Sequence, residues 1–353
     1  MSSRRTSPSF AAELDRIIDI PNRKVYDERG NPIRDCAQST RDCRRTKIHQ
    51  FFCDLRGLGY RLPSPLSLRT KHVEALTELW RQKNLAARTI HTQLSMLRVF
   101  CHWIKKPNLV ADIDQYFDPE QVHRSLVCTE NKAWLPNGVQ TPDIIAKAKV
   151  MDVIMGVILE LQDKFGLRVK EALELRPMMN YDRVNMQLLV VQGTKGGKPR
   201  IVPVKTPEQR QVLEAAIQLA MKNGGRIRWP RMTWKQAQRR FYYLAGKLGI
   251  TKEHLGITSH GLRHGYLQNA IKAETGFPPP IEGGAPLGKI DAQTYRAALY
   301  KVALAAGHGR IDVMCLYGGS YGYRLRKFKT PADLPQQPPR APSQEAIPNE
   351  YLY

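Results

Sequence analysis

The chain has 353 residues, 42% hydrophobic and 25% charged, the balance of a globular protein rather than a fibrous or low-complexity one. Lys and Arg number 55 against 32 Asp and Glu, a net charge of +23 that points to a polyanionic partner, most often nucleic acid. No apolar run is long enough to span a bilayer and no signal-peptide core follows Met1, so the expectation is a cytoplasmic protein without a membrane partner.

Residues 1 to 38 are mixed: a short amphipathic segment, SFAAELDRIIDI, precedes NRKVYDERGNPIRD, whose RGNP reads as a turn. From Ser39 to about Phe117 the period is helical. Ile48, Phe51, Phe52 and Leu55 share a face of a first helix that ends at Gly57 and Gly59. Val73, Leu76, Leu79 and Trp80, then Ile90, Leu94, Leu97, Cys101 and Ile104, give two more stripes. The opposite faces are basic, with Arg69, Lys71, Arg81 and Arg98 among them.

The turn-rich stretch NKAWLPNGVQTP, 131–142, reads as a linker, and a single long helix is expected near 143–163. Residues 187–204, QLLVVQGTKGGKPRIVPV, form the clearest strand pair, two β-branched runs flanking a Gly-Lys turn. Helical patterns resume at 207–222, 233–247, 261–274, 291–306 and 309–317, with a Pro/Gly-rich loop at 278–290. The Pro- and Gln-rich tail after Thr330 has the composition of extended chain.

Six cysteines occur without C-x-x-C spacing and read as reduced thiols. Cys43, His49 and Cys53 lie close together but lack a fourth ligand, so neither a metal nor another cofactor is expected.

Breaking a phosphodiester without metal requires an oxygen nucleophile, fixed cations around the phosphate and an acid for the departing oxygen. Arginine suits the clamp, being always charged and able to hold two oxygens. The C-terminal half offers each part. FGLRVKEALELR places Arg168 at a helix start with Glu171 one turn on. SHGLRHGYLQ puts His260 and Arg263 on one face of a turn. The strand-pair turn carries Lys195 and Lys198, and AAGHGRIDVMCLY sets Tyr317 nine positions after His308.

In this order the motifs resemble those of the tyrosine recombinase, or phage integrase, family: a Gly-Leu-Arg-x-x-Glu box, a lysine on a β-turn, a His-x-Leu-Arg-His box and a Gly-His…Tyr box. KHVEALTELWRQKNLAARTIHTQLSMLRVFCHWIKK is similar to the family's helical core-binding domain, and RIDVMCLYGGS to proteobacterial prophage integrases. The resemblance spans about residues 40–325. It implies a mainly α fold with a small β-sheet, a helical core-type DNA-binding domain at 39–130 and an α+β catalytic domain at 143–330. Residues 1–38 would be an N-terminal extension, either an arm-type DNA contact or partly disordered, and 331–353 a tail.

By the same resemblance Tyr317 attacks the scissile phosphate to form a 3′-phosphotyrosyl link, and Arg168 and Arg263 clamp it. Lys195 is the general acid, with Lys198 its rival in the turn, and His260 and His308 orient the phosphate. Glu171 and His264 read as structural. Tyr321 and Tyr323 follow the nucleophile but lack the histidine spacing. The implied protein is a site-specific recombinase of a mobile element, acting as a tetramer on double-stranded attachment sites with an accessory bending or directionality factor. A type IB topoisomerase-like nicking-closing enzyme, or a non-catalytic DNA-binding accessory protein on the same scaffold, are the alternatives.

Overall fold

A computed structural model describes residues 9–26, 31–285 and 288–321. The expected tail, Tyr323 and part of the RGNP turn lie outside the described residues. The chain divides into two compact units, one ending at Ser125 and the next beginning at Leu126.

The first unit opens with α1 (Phe10–Asp19), capped by Ser9, whose hydroxyl accepts from Ala12 N at 3.3 Å. A short antiparallel hairpin follows, β1 (Lys24–Tyr26) and β2 (Pro32–Asp35). Three helices complete the unit: α2 (Gln38–Gly57), α3 (Thr70–Gln82) and α4 (Ala87–Trp103). The stripes read from the sequence meet in its core. Phe51 packs on Trp80 with ring centroids 5.7 Å apart, and Phe52 sits edge-on to Phe100 at 5.5 Å. Leu14 and Ile18 of α1 are buried in the same core. Helix α1 is therefore a structural member of the first unit rather than an extension to it. His49 bonds Asp15 at 2.9 Å, so it serves this packing. Among the described residues no cluster of His, Cys, Asp and Glu is arranged to hold a metal ion, and no helix is long and apolar enough to cross a membrane.

The second unit begins with the stretch read as a linker. It is instead packed in place: Trp134 is buried and donates its indole N–H to Thr258 O at 2.8 Å. A large aromatic among the turn formers is what holds it down. Then come α5 (Thr141–Met151) and α6 (Val153–Phe165), where one long helix was expected. The break is Asp152, whose extended backbone and side chain cap α6 through Met155 N at 3.0 Å while its other oxygen accepts from the Trp229 indole at 2.9 Å. Short helices α7 (Val169–Glu174) and α8 (Pro177–Asn180) lead to a three-stranded antiparallel sheet, β3 (Tyr181–Asp182), β4 (Gln187–Val190) and β5 (Arg200–Pro203), in that spatial order. Leu188 faces Val202 on the core side, while Leu189 and Ile201 pair on the exposed face.

Four helices close the unit, α9 (Pro207–Lys222), α10 (Trp234–Lys247), α11 (His260–Thr275) and α12 (Ala292–Ala305), the last two separated by a loop with a 3-10 turn at Pro280–Glu282. The expected helix at 309–317 is a 3-10 turn, Ile311–Met314, running into a single α-turn, α13 (Cys315–Gly318). The turn is held from outside: Met314 and Tyr317 pack with Leu267, Ile271, Leu299 and Val302.

Candidate active site

All of the candidate residues belong to the second unit. Arg168 caps α7, where its backbone N–H and its Nη1 each donate to Glu171 at 2.7 Å. Gly166, in the left-handed conformation, ends α6 just before it and turns the chain towards the site. Glu171 is fully buried and also accepts both Nη groups of buried Arg200 at 2.7 Å. Burial pushes this carboxyl up, but the Arg200 guanidinium and Arg168 outweigh it and bring it down to about 2.

Arg263, in the first turn of α11, is 1% exposed. It donates to Gly166 O and, at 2.6 Å, to Ala306 O, so α6 and the end of α12 both fix its guanidinium. Burial, then repulsion from Arg168, lowers it to about 10, leaving it charged at neutral pH. His308 sits between the two arginines, its Nε2 3.5 Å from Arg168 Nη2 and 3.5 Å from Arg263 Nη2. Burial and then the charges of Arg263, Arg168, Lys195 and Arg200 bring His308 to about 4. It is therefore neutral near pH 7 and able to accept a hydrogen bond.

Tyr317 is buried, with Arg263 Cζ 5.8 Å from its ring centroid and the His308 ring 5.8 Å away. His260 lies at 6.1 Å and His264 at 4.7 Å. Desolvation by the surrounding side chains, followed by the charges of Arg263 and Arg168, lowers His260 to about 4. The turn bearing Tyr317 is strapped by the segment before α5. Cys128 N donates to Cys315 O at 2.9 Å, and Gln268 Nε2 donates to Tyr317 O at 2.9 Å and Asn131 Oδ1 at 3.0 Å.

The structure thus brings together five of the six residues singled out from the sequence: Arg168, His260, Arg263, His308 and Tyr317. Lys195 is exposed on the 3-10 turn Lys195–Gly197, between strands β4 and β5, and joins the cluster only through its charge on His308. Lys198, also exposed, ends the same turn. Tyr321 stands apart: its hydroxyl accepts from Ala285 N at 2.7 Å and its ring packs on Tyr295. His264 is buried, with Nδ1 unpaired and its ring the nearest of the three histidines to Tyr317.

Sequence reading overlooked Arg200. Its signal was alternation: Arg200, Val202 and Val204 share the inward face of one strand, and a charge in that register requires a buried partner. Gln268 and Asn131 carried no comparable signal, because an amide on a helix or in a turn is ordinarily solvated.

Two fixed guanidinium groups, neutral histidines and a phenol in one cluster can hold a phosphodiester and offer it an oxygen nucleophile, the equipment of an enzyme that takes a phosphoryl group onto its own side chain. Family models narrow this class. Residues 129–269 match the model described as Integrase, and residues 35–110 the model described as Phage integrase, N-terminal. Between them they cover more than half of the sequence, and the chain belongs to the phage integrase family of tyrosine recombinases. It is a site-specific DNA recombinase.

The fold agrees. The Tn1549 transposon integrase in complex with transposon right end DNA aligns with TM-score 0.54 at 15% identity, covering 89% of this chain and 98% of that one. A lambda integrase dimer bound to a COC′ core site aligns with TM-score 0.50 at 17% identity, over 81% of this chain and 89% of that one. A lambda integrase tetramer bound to a Holliday junction aligns with TM-score 0.50 at 18% identity, over 75% and 70%. No curated protein is a detectable relative by sequence.

Proposed function

We propose that the chain integrates and excises a mobile genetic element, using Tyr317 as its nucleophile. The Tyr317 oxygen attacks the scissile phosphorus, a P–O bond to Tyr317 forms as the phenol proton passes to a neutral histidine of the cluster, His260 or His308, and the bond to the 5′ oxygen breaks as Lys195 protonates that oxygen. The 5′-hydroxyl of another strand then attacks the phosphotyrosyl link, and tyrosine leaves with its proton restored. Arg168 and Arg263 carry the charge that builds on the non-bridging oxygens, and His260 and His308 orient the phosphate by hydrogen bonds. The observation that carries this reading is the packing of Tyr317 within one cluster with Arg263 and His308.

The first unit supplies core-type DNA contacts from its basic helix faces, with α1 as part of that unit. The working form is a tetramer on two double-stranded attachment sites, since each of four strands needs a nucleophile; the lambda integrase tetramer on a Holliday junction supports this by analogy of fold. The element is a prophage, an accessory bending or directionality factor assists, and the protein acts in the bacterial cytoplasm. The test is a nicked duplex built from the junctions flanking the chain's own gene. The wild-type protein should form a covalent adduct on it, and Tyr317→Phe should form none while still binding. An adduct surviving that substitution moves the nucleophile elsewhere, and exchange between two sites separates recombination from nicking and closing.

A further inference from the structure

We propose that Arg200 is a positioning residue for the recombination reaction: it neutralises Glu171 so that Arg168 meets the phosphate with its full positive charge. The proposal rests on the recombinase reading above.

Glu171 has two oxygens and four donors. Oε1 takes Arg168 Nη1 and Arg200 Nη1, each at 2.7 Å, while Oε2 takes Arg168 N and Arg200 Nη2, again each at 2.7 Å. Two guanidinium groups thus share one carboxylate, and the trio keeps a net charge of one. Arg200 is 5% exposed and is turned wholly to Glu171, whereas Arg168 is partly exposed and aims its Nη2 at His308. The surplus charge is therefore displayed at Arg168, on the side that meets His308. Were Glu171 paired with Arg168 alone, the pair would be neutral and the clamp would lose the interaction that grows most in the transition state.

The same guanidinium joins the three segments that carry the site. Arg200 begins β5, five residues after Lys195 on the same hairpin; it grips α7 through Glu171; and its Cδ would lie 3.1 Å from a Cβ at Gly307, next to His308. A side chain at 307 would therefore press on Arg200, which would have to give by a few tenths of an ångström. One buried residue thus sets the charge of Arg168 and the spacing between the lysine turn and the histidine.

A purely structural role and a charge-balancing role diverge in a double substitution. Arg200→Gln leaves Glu171 to pair with Arg168 alone, and should slow single-turnover adduct formation by about tenfold to a hundredfold, with little change in duplex affinity. Glu171→Gln combined with Arg200→Gln removes both charges and returns the surplus to Arg168. It should recover at least about tenfold of that loss although its melting temperature is no higher than that of the single variant. Arg200→Lys, which keeps the charge but not the paired geometry, should fall between the wild type and Arg200→Gln and guards against a variant that does not fold.

A second readout needs no cleavage. Tungstate, a phosphate-shaped oxyanion, is titrated calorimetrically, and the component absent from Arg168→Gln reports on the clamp. It should weaken in Arg200→Gln and return in the double variant. A double variant no better than Arg200→Gln in both readouts overturns the proposal, as does wild-type behaviour of Arg200→Gln. A wild-type protein that binds tungstate in this pattern but forms no adduct on any junction overturns the recombinase reading instead.

Discussion

The guanidinium carbon of Arg263 lies 5.8 Å from the centroid of the Tyr317 ring. The Tyr317 ring thus lies beside a cation held by two backbone carbonyls, Gly166 O and Ala306 O. Replacing Arg263 by Gln strands those carbonyls and removes the charge beside the phenol. Adduct formation should fall by about a hundredfold or more, and unfolding free energy by about 1–3 kcal/mol. Single-turnover cleavage and denaturant unfolding read the two effects separately. Cleavage within threefold of wild type would take Arg263 out of the clamp.

Lys195 and Lys198 occupy one exposed turn, and the charge of Lys195 is among those that lower His308. Lys195→Ala should slow cleavage of an ordinary duplex by about a hundredfold or more, whereas Lys198→Ala should act chiefly on DNA affinity. A sulfur in place of the scissile 5′ oxygen leaves without needing a proton, so on that substrate Lys195→Ala should approach the wild-type rate. If Lys198→Ala is instead the variant that sulfur rescues, the acid is Lys198.

Where the sequence was legible, the reason was periodicity or ordered spacing. Phe51, Leu76 and Leu97 reported their helices because each face repeats at the helical period, and Arg168, Arg263 and Tyr317 stood in motif order. What escaped was set by single contacts across the fold. Asp152 breaks a helix because Trp229 and Arg240 reach it from 77 and 88 residues away. Trp134 turns an apparent linker into packed structure through Thr258, a partner 124 residues distant. The α-turn at Cys315–Gly318 depends on Gln268 and the Cys128 strap, neither of which its own residues announce.

Stability should fall as pH drops from neutral to mildly acidic. Burial, then His260 and nearby cations, brings His264 from 6.5 to about 3, and His308 lies at about 4. Between those values and 6.5 the unfolded chain binds protons that the folded chain refuses, so stability rises with pH through this window and levels off above it. For His264 alone the loss between pH 6.5 and pH 5 is on the order of 2 kcal/mol. Glu171, held at about 2 against an ordinary 4.5, acts lower: its contribution is complete above pH 4.5 and disappears towards pH 2. Denaturant midpoints should decline from pH 7 to pH 5, and His264→Gln should flatten that decline. A midpoint independent of pH across this range would contradict the buried, neutral histidines.

Gly307 separates backbone strain from its effect on the site. It has φ +73°, and a Cβ there would meet Arg200 Cδ at 3.1 Å. Gly224 has nearly the same backbone, φ +68°, with nothing within 4 Å of its Cβ position. Alanine at either position should cost about 1–2 kcal/mol of stability through the left-handed conformation. Only at 307 does the new methyl press on Arg200, the partner that Glu171 shares with Arg168. Thermal unfolding of Gly307→Ala and Gly224→Ala should therefore be similar, while single-turnover cleavage should drop about tenfold or more in Gly307→Ala alone. Equal cleavage by the two variants would show that Arg200 can shift without consequence, and the tie between the His308 segment and the arginine clamp would be broken.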